Sequence, residues 1–131
     1  MVSRFYIYKR VGYFKEKIAE ELGIEITGTI YVSQKVINHI KTKHGKHLGK
    51  RIMNNIIEYM SKIIEQPDYI GIYKVKDNEI YVEFIRRDDI NILIGIHINS
   101  TKDKINISTM YPITDGKIES KLSSRELIKY I

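Results

Sequence analysis

The chain has 131 residues, 43% of them hydrophobic, no cysteine and a formal net charge of +6. One domain over residues 1–131 with a real core fits that length, and whole-chain disorder does not; disulfides, thiolate metal sites and a cysteine nucleophile are excluded together. Apolar runs such as Ile92-Leu93-Ile94 are too short to cross a membrane, and Met1-Val2-Ser3-Arg4 does not open a signal peptide, so a cytoplasmic protein is expected.

Phe5 to Lys9 alternates weakly and reads as a short strand. Tyr13 to Leu22 reads as a helix, with Phe14, Ile18 and Leu22 on one side and Gly23 as its stop. Thr27 to Val32 is β-branched and aromatic, a short strand or an extended entry to the next helix. Ser33 is a good N-cap for a helix through His44, ended by Gly45, with a loop from Lys46 to Lys50. Arg51 to Glu65 reads as the longest helix, and Pro67 forbids its continuation.

After Pro67 the apolar period changes to two. Strands are expected at Tyr69–Lys76, Glu79–Arg87, Asn91–Asn99 and Lys104–Tyr111, joined by short polar turns. Ser123 or Ser124 is expected to cap a short helix through Tyr130. The predicted fold class is α+β: N-terminal helices packed on a four-stranded antiparallel meander sheet, with a short C-terminal helix.

The charge has an address. Ser33 to Arg51 holds Lys35, Lys41, Lys43, Lys46, Lys50 and Arg51, three histidines (His39, His44, His47), and no acid. Clustered Lys and Arg suit a polyanion, because they replace condensed counterions on phosphates; a merely solvated basic helix is the alternative. At about 100° per residue, Val36, Ile37 and Ile40 form one stripe, and His44 falls inside it. His39 falls about 140° away from His44. His44 is therefore expected to face the domain, as a core histidine or a working one. In the sheet, the rows Val82-Phe84-Arg86, Ile92-Ile94-Ile96 and Ile107-Thr109-Tyr111 should share the helix-covered face. The turns set a register with Arg86 near Ile92, Ile92 near Tyr111 and Ile94 beside Thr109, which brings Arg86, Thr109 and Tyr111 to one corner, with Ser108 replacing Thr109 if it slips by one residue.

RNA carries its own nucleophile, the 2′-hydroxyl. Cleaving it needs a base, an acid and cations around the crowded phosphorane. Histidine suits the first two roles near neutral pH, and Arg or Lys the third. A Tyr can stack on a base or donate a proton, and a Ser or Thr hydroxyl can hold phosphate. A metal site is not expected, since His39 and His44 diverge and no carboxylate lies in their segment. No cofactor is expected, and no glycine-rich phosphate loop is present.

The order of parts resembles the phage-associated Barnase-EndoU-colicin-RelE-like nucleases. The likeness rests on Ile30-Tyr31-Val32-Ser33 leading to His39-Ile40-Lys41-Thr42-Lys43-His44, on Ile63-Ile64-Glu65-Gln66-Pro67-Asp68, and on Ser108-Thr109-Met110-Tyr111-Pro112. It covers roughly residues 24–113. The resemblance implies an endoribonuclease of toxin or effector type, with His44 as general base or acid and Arg86 as strand cation. Thr109 or Ser108 would supply the hydroxyl, and Tyr111 would face the substrate. Lys35, His39, Lys43, Lys46 and His47 would bind substrate, Lys43 or Lys46 standing for the family's lysine. The second histidine is not obvious: His39, His47 and His97 are candidates. RNA is the implied partner, with an acidic immunity or antitoxin protein as a second. The competing readings are a non-catalytic nucleic-acid-binding module and a protein-interaction domain with a basic docking face.

Overall fold

The computed structural model describes residues 7–130. Its elements follow the order β1 (Tyr8–Phe14), α1 (Glu16–Leu22), β2 (Gly28–Ser33), α2 (Gln34–Leu48), α3 (Lys50–Asn54), α4 (Ile56–Glu65), β3 (Tyr69–Lys76), β4 (Glu79–Arg86), β5 (Ile92–Asn99), β6 (Lys104–Pro112), α5 (Asp115–Ser123) and β7 (Ile128–Lys129). The α+β class holds. The four-stranded meander is corrected: the described residues form a seven-stranded mixed sheet in the order β1-β2-β6-β5-β4-β3-β7. β3 to β6 are antiparallel neighbours, β2 runs parallel to β6, and β7 adds a second edge strand on β3.

Several boundaries move for local reasons. The strand expected at Phe5–Lys9 is placed at Tyr8–Phe14, so Phe14 belongs to β1 and not to α1; Phe5 and Tyr6 lie outside the described residues. Ser33 does cap α2, its Oγ accepting from the Val36 amide at 3.1 Å. The helix then runs through Gly45 to Leu48. A helical glycine costs only about 1 kcal/mol, and burial of Leu48 more than offsets that. The expected Arg51–Glu65 helix breaks at Asn55, whose side-chain amide donates to the Arg51 carbonyl at 2.9 Å in place of a helical backbone bond. The helix expected from Ser123 or Ser124 to Tyr130 is corrected: α5 ends at Ser123 and Ile128–Lys129 pair as β7 on β3, while Thr114 caps α5, its Oγ1 accepting from Lys117 N at 3.2 Å.

The core lies between the helices and one face of the sheet. Ile92, Ile94, Ile96 and Ile98 of β5 form its floor with Val82, Phe84, Ile105, Ile107 and Met110, and Ile37, Ile40, Met60, Ile63 and Ile64 descend from the helices. Burying each such side chain stabilises by about 1.5–3 kcal/mol, so this row fixes which face is covered. The opposite, outer face is covered only in part. There α5 seals a smaller cluster of Tyr69, Ile85, Leu93, Ile113, Ile118 and Leu127.

One register detail positions everything that follows. Ile96 pairs with Ile107, but Gly95 pairs with Thr109, so Ser108 is an extra residue in β6. This bulge reverses the alternation beyond it. Met110 turns into the core opposite Ile94, while Thr109 and Tyr111 turn to the outer face beside Gly95 and Leu93. The expected pairs Ile92 with Tyr111 and Ile94 with Thr109 are thereby corrected.

Candidate active site

The outer face is ordered in cross-strand rows. Tyr69, Ile85, Leu93 and Tyr111 form the row nearest α5. The next row is Gly71, Glu83, Gly95 and Thr109. Gly95 has no side chain, and the β6 side chains close over it: a Cβ there would stand 2.9 Å from Thr109 Cγ2 and 3.0 Å from Ser108 Oγ. Ser108 and Thr109 thus both stand over Gly95, one because of the bulge and one because of the pairing.

Glu83 is 6% exposed. A buried carboxylate needs a partner, and α5 supplies it: Lys121 Nζ donates to Glu83 Oε1 at 2.8 Å. Burial alone would lower the Lys121 pKa, but the hydrogen bond and charge of Glu83 outweigh it and hold the ammonium above its ordinary value. Lys121 also sits 5.7 Å from the centre of the exposed Tyr73 ring. The Tyr111 phenol is pushed up, first by burial and then by the Glu83 charge. It therefore stays protonated and can donate.

His44 reaches this cluster from the side. α2 begins where β2 ends, packs on β6 and carries His44 to Tyr111, the ring centres 5.5 Å apart and tilted by 35°. The ring is half-buried. Burial, and then the charges of Lys43, His39 and His47, lower its pKa below 6.5. At neutral pH the imidazole is uncharged and able to accept a proton. Lys35, His39, Lys43, Lys46 and His47 are all exposed along α2. Among the described residues, no three His, Asp or Glu side chains gather as a metal ion requires, and no helix is long and apolar enough to cross a membrane.

This set consists of a neutral imidazole, a phenol, a paired ammonium and two hydroxyls on or beside the outer face. It suits chemistry on a phosphodiester. A model of the phage-Barnase-EndoU-ColicinE5/D-RelE like nuclease3 family matches residues 9–120. The chain belongs to this family. Its function is of the nuclease kind, and the resemblance drawn from the sequence is borne out. No curated protein and no solved structure gives a significant match.

Within this nuclease, the expected corner divides. His44, Ser108, Thr109 and Tyr111 are brought to the outer face or its edge. Arg86 is not. It pairs with Ile92 on the helix-covered side, donates from Nη1 to the Gln66 carbonyl at 2.7 Å, and lines a small cavity with Ile52, Ile63 and Ile92. Two members of the cluster escaped the sequence reading. Glu83 had a visible signal, a lone carboxylate inside the apolar strand Val82-Glu83-Phe84. Lys121 had none, because only the placement of α5 brings it there. His97 lies on the outer face with Tyr111, one row beyond Gly95, where its Nε2 donates to Glu79 Oε1 at 3.2 Å.

Proposed function

We propose that this nuclease is a metal-independent endoribonuclease that cleaves RNA through attack of the 2′-hydroxyl on the neighbouring phosphorus. The observation that carries the reading is His44 packed against Tyr111, whose phenol in turn feels the charges of the buried Glu83–Lys121 pair. His44 takes the 2′-proton. The 2′-oxygen bonds to phosphorus, and the bond from phosphorus to the 5′-oxygen breaks. Lys121 faces the negative charge that builds on the phosphorane, with the Ser108 and Thr109 hydroxyls donating to its oxygens. The Tyr111 phenol protonates the departing 5′-oxygen, and the His44 imidazolium returns a proton to the phenolate. The products are a 2′,3′-cyclic phosphate and a 5′-hydroxyl.

The exposed bases of α2 fit the approach of an RNA backbone: Lys35, Lys43 and Lys46, with His39 and His47. They also fit an acidic immunity or antitoxin protein, which would block the same surface. Phage association of the family agrees with a toxin or effector acting in a cytoplasm. Total RNA incubated in EDTA tests the reaction. Wild-type protein should produce fragments ending in 2′,3′-cyclic phosphate, and His44→Ala should leave the RNA whole. RNA that stays intact with folded wild-type protein at several salt concentrations overturns the proposal.

A further inference from the structure

The outer sheet face carries a third row that the reaction does not use. Arg10 pairs with Tyr31, Tyr31 with Asn106, Asn106 with His97, His97 with Tyr81, and Tyr81 with Lys74. At about 4.8 Å per strand, this row across six strands is about 24 Å long. It begins and ends in a cation. Tyr31 is 40% exposed. The Tyr81 and His97 rings are stacked, with centres 4.7 Å apart, and Lys74 Nζ lies 5.9 Å from the Tyr81 ring centre. A groove of about 250 Å³ opens beside Tyr31, lined also by Tyr8, Thr29, Lys104 and Asn106, with Asp103 at its rim. Of the face's acids, Glu79 is bound to His97 and Glu83 to Lys121.

An apolar protein-docking face would be poor in charge. Here rings alternate with an amide between two cations, the composition that suits bases stacked above a backbone of phosphates. The row also passes next to the Thr109–Gly95–Glu83 row, since His97 is two residues along β5 from Gly95, about 6.8 Å at strand rise. We propose that the Arg10–Lys74 row is a base-stacking track for single-stranded RNA, leading a strand past the Ser108 and Thr109 hydroxyls; this rests on the ribonuclease reading above. A duplex hides its bases and cannot use the track.

The probe is a 2′-O-methyl oligonucleotide of about eight nucleotides, a length within the usual range for single-strand sites. It lacks the 2′-nucleophile, so binding is read without cleavage. Fluorescence anisotropy should show tighter binding of the single strand than of the same sequence as a duplex. Tyr31→Ala should weaken single-strand binding roughly 5- to 100-fold, the loss of one stacked base, and Tyr31→Phe should restore it. A 5-iodouridine version, crosslinked to the unmutated protein, should attach at Tyr31, Tyr81 or His97. Wild-type affinity in folded Tyr31→Ala overturns the track, as do equal duplex binding and crosslinks confined to α2. The two proposals separate cleanly. RNA cleaved by Tyr31→Ala with unchanged KM removes the track and keeps the reaction. Stacking of the probe by a protein that never cuts RNA removes the reaction and keeps the track as a binding site.

Discussion

The Glu83 carboxylate and the Lys121 ammonium meet at 2.8 Å, the first on the sheet and the second on the helix that covers one end of it. The pair joins α5 to the outer face and places a fixed cation there. Removing one partner leaves a buried charge without compensation. Lys121→Met should therefore destabilise the protein by about 3 kcal/mol, and Lys121→Met combined with Glu83→Leu should recover most of that loss. Urea denaturation at pH 7 measures both. The pH sense follows from the raised ammonium. Its contribution is complete below the ordinary value of 10.5 and is lost as pH climbs through the higher value in the fold. Equal stability of Lys121→Met and wild type at pH 7 would show that the pair is not holding α5.

Two glycines on the outer face should separate function from stability. At Gly95, the atoms that a methyl group would meet are the ends of the Thr109 and Ser108 side chains. These can turn aside, so Gly95→Ala should cost about 1–2 kcal/mol. The hydroxyls would then be displaced, and cleavage should fall by roughly 100-fold. At Gly71, the methyl group would land on the backbone carbonyl of Glu126. Backbone cannot turn aside, and Gly71→Ala should strip β7 from β3, losing about 3 kcal/mol or more. Thermal melts paired with single-turnover cleavage distinguish the two patterns, and a fully active Gly95→Ala would remove the Ser108 and Thr109 hydroxyls from the mechanism.

Where local pattern decided the structure, it was readable in the residues. The turns after Lys76 and Asn99, the stop at Pro67 and the Ser33 cap each depend on neighbours within four positions. The face of β6 depended on the Ser108 bulge. Its trace is present: apolar residues at Ile105, Ile107 and Met110, a step of two followed by a step of three. Reading a steady step of two through that segment put Thr109 and Tyr111 on the wrong face. The outer strands were harder. β1 and β7 acquire their strand character from pairing with β2 and β3, which no local periodicity reports. For the same reason the inward side of His44 could be read from its helix stripe, while the position of Lys121 could not.

Arg86 tests the division of the sheet into two working faces. Its bond to the Gln66 carbonyl ties β4 to the end of α4, and its Nε is buried with no partner among the described residues. Arg86→Met should lower stability by about 1–3 kcal/mol through the lost bond to a charged donor. Cleavage per folded molecule should stay within about twofold, since the sheet separates Arg86 from Tyr111 and the two share no partner. A large drop in kcat with unchanged melting temperature would return Arg86 to the reaction.

The pH profile should identify His44 as the base. Its pKa is lowered first by burial and then by Lys43, His39 and His47. A general base works only when deprotonated, so the acid limb of kcat/KM should bend at a value below 6.5. Lys43→Met removes the largest of the neighbouring charges and should move that bend upward toward 6.5, leaving the rate at pH 8 nearly unchanged once substrate is saturating. His44→Gln should abolish the limb and reduce the rate by roughly 100- to 10,000-fold. Tyr111→Phe keeps the ring against His44 but removes the phenol. It should leave the bend in place while lowering kcat, which separates the acid from the base. A bend that ignores Lys43→Met, or that survives His44→Gln, would place the base elsewhere on the outer face, with His97 the next histidine along β5.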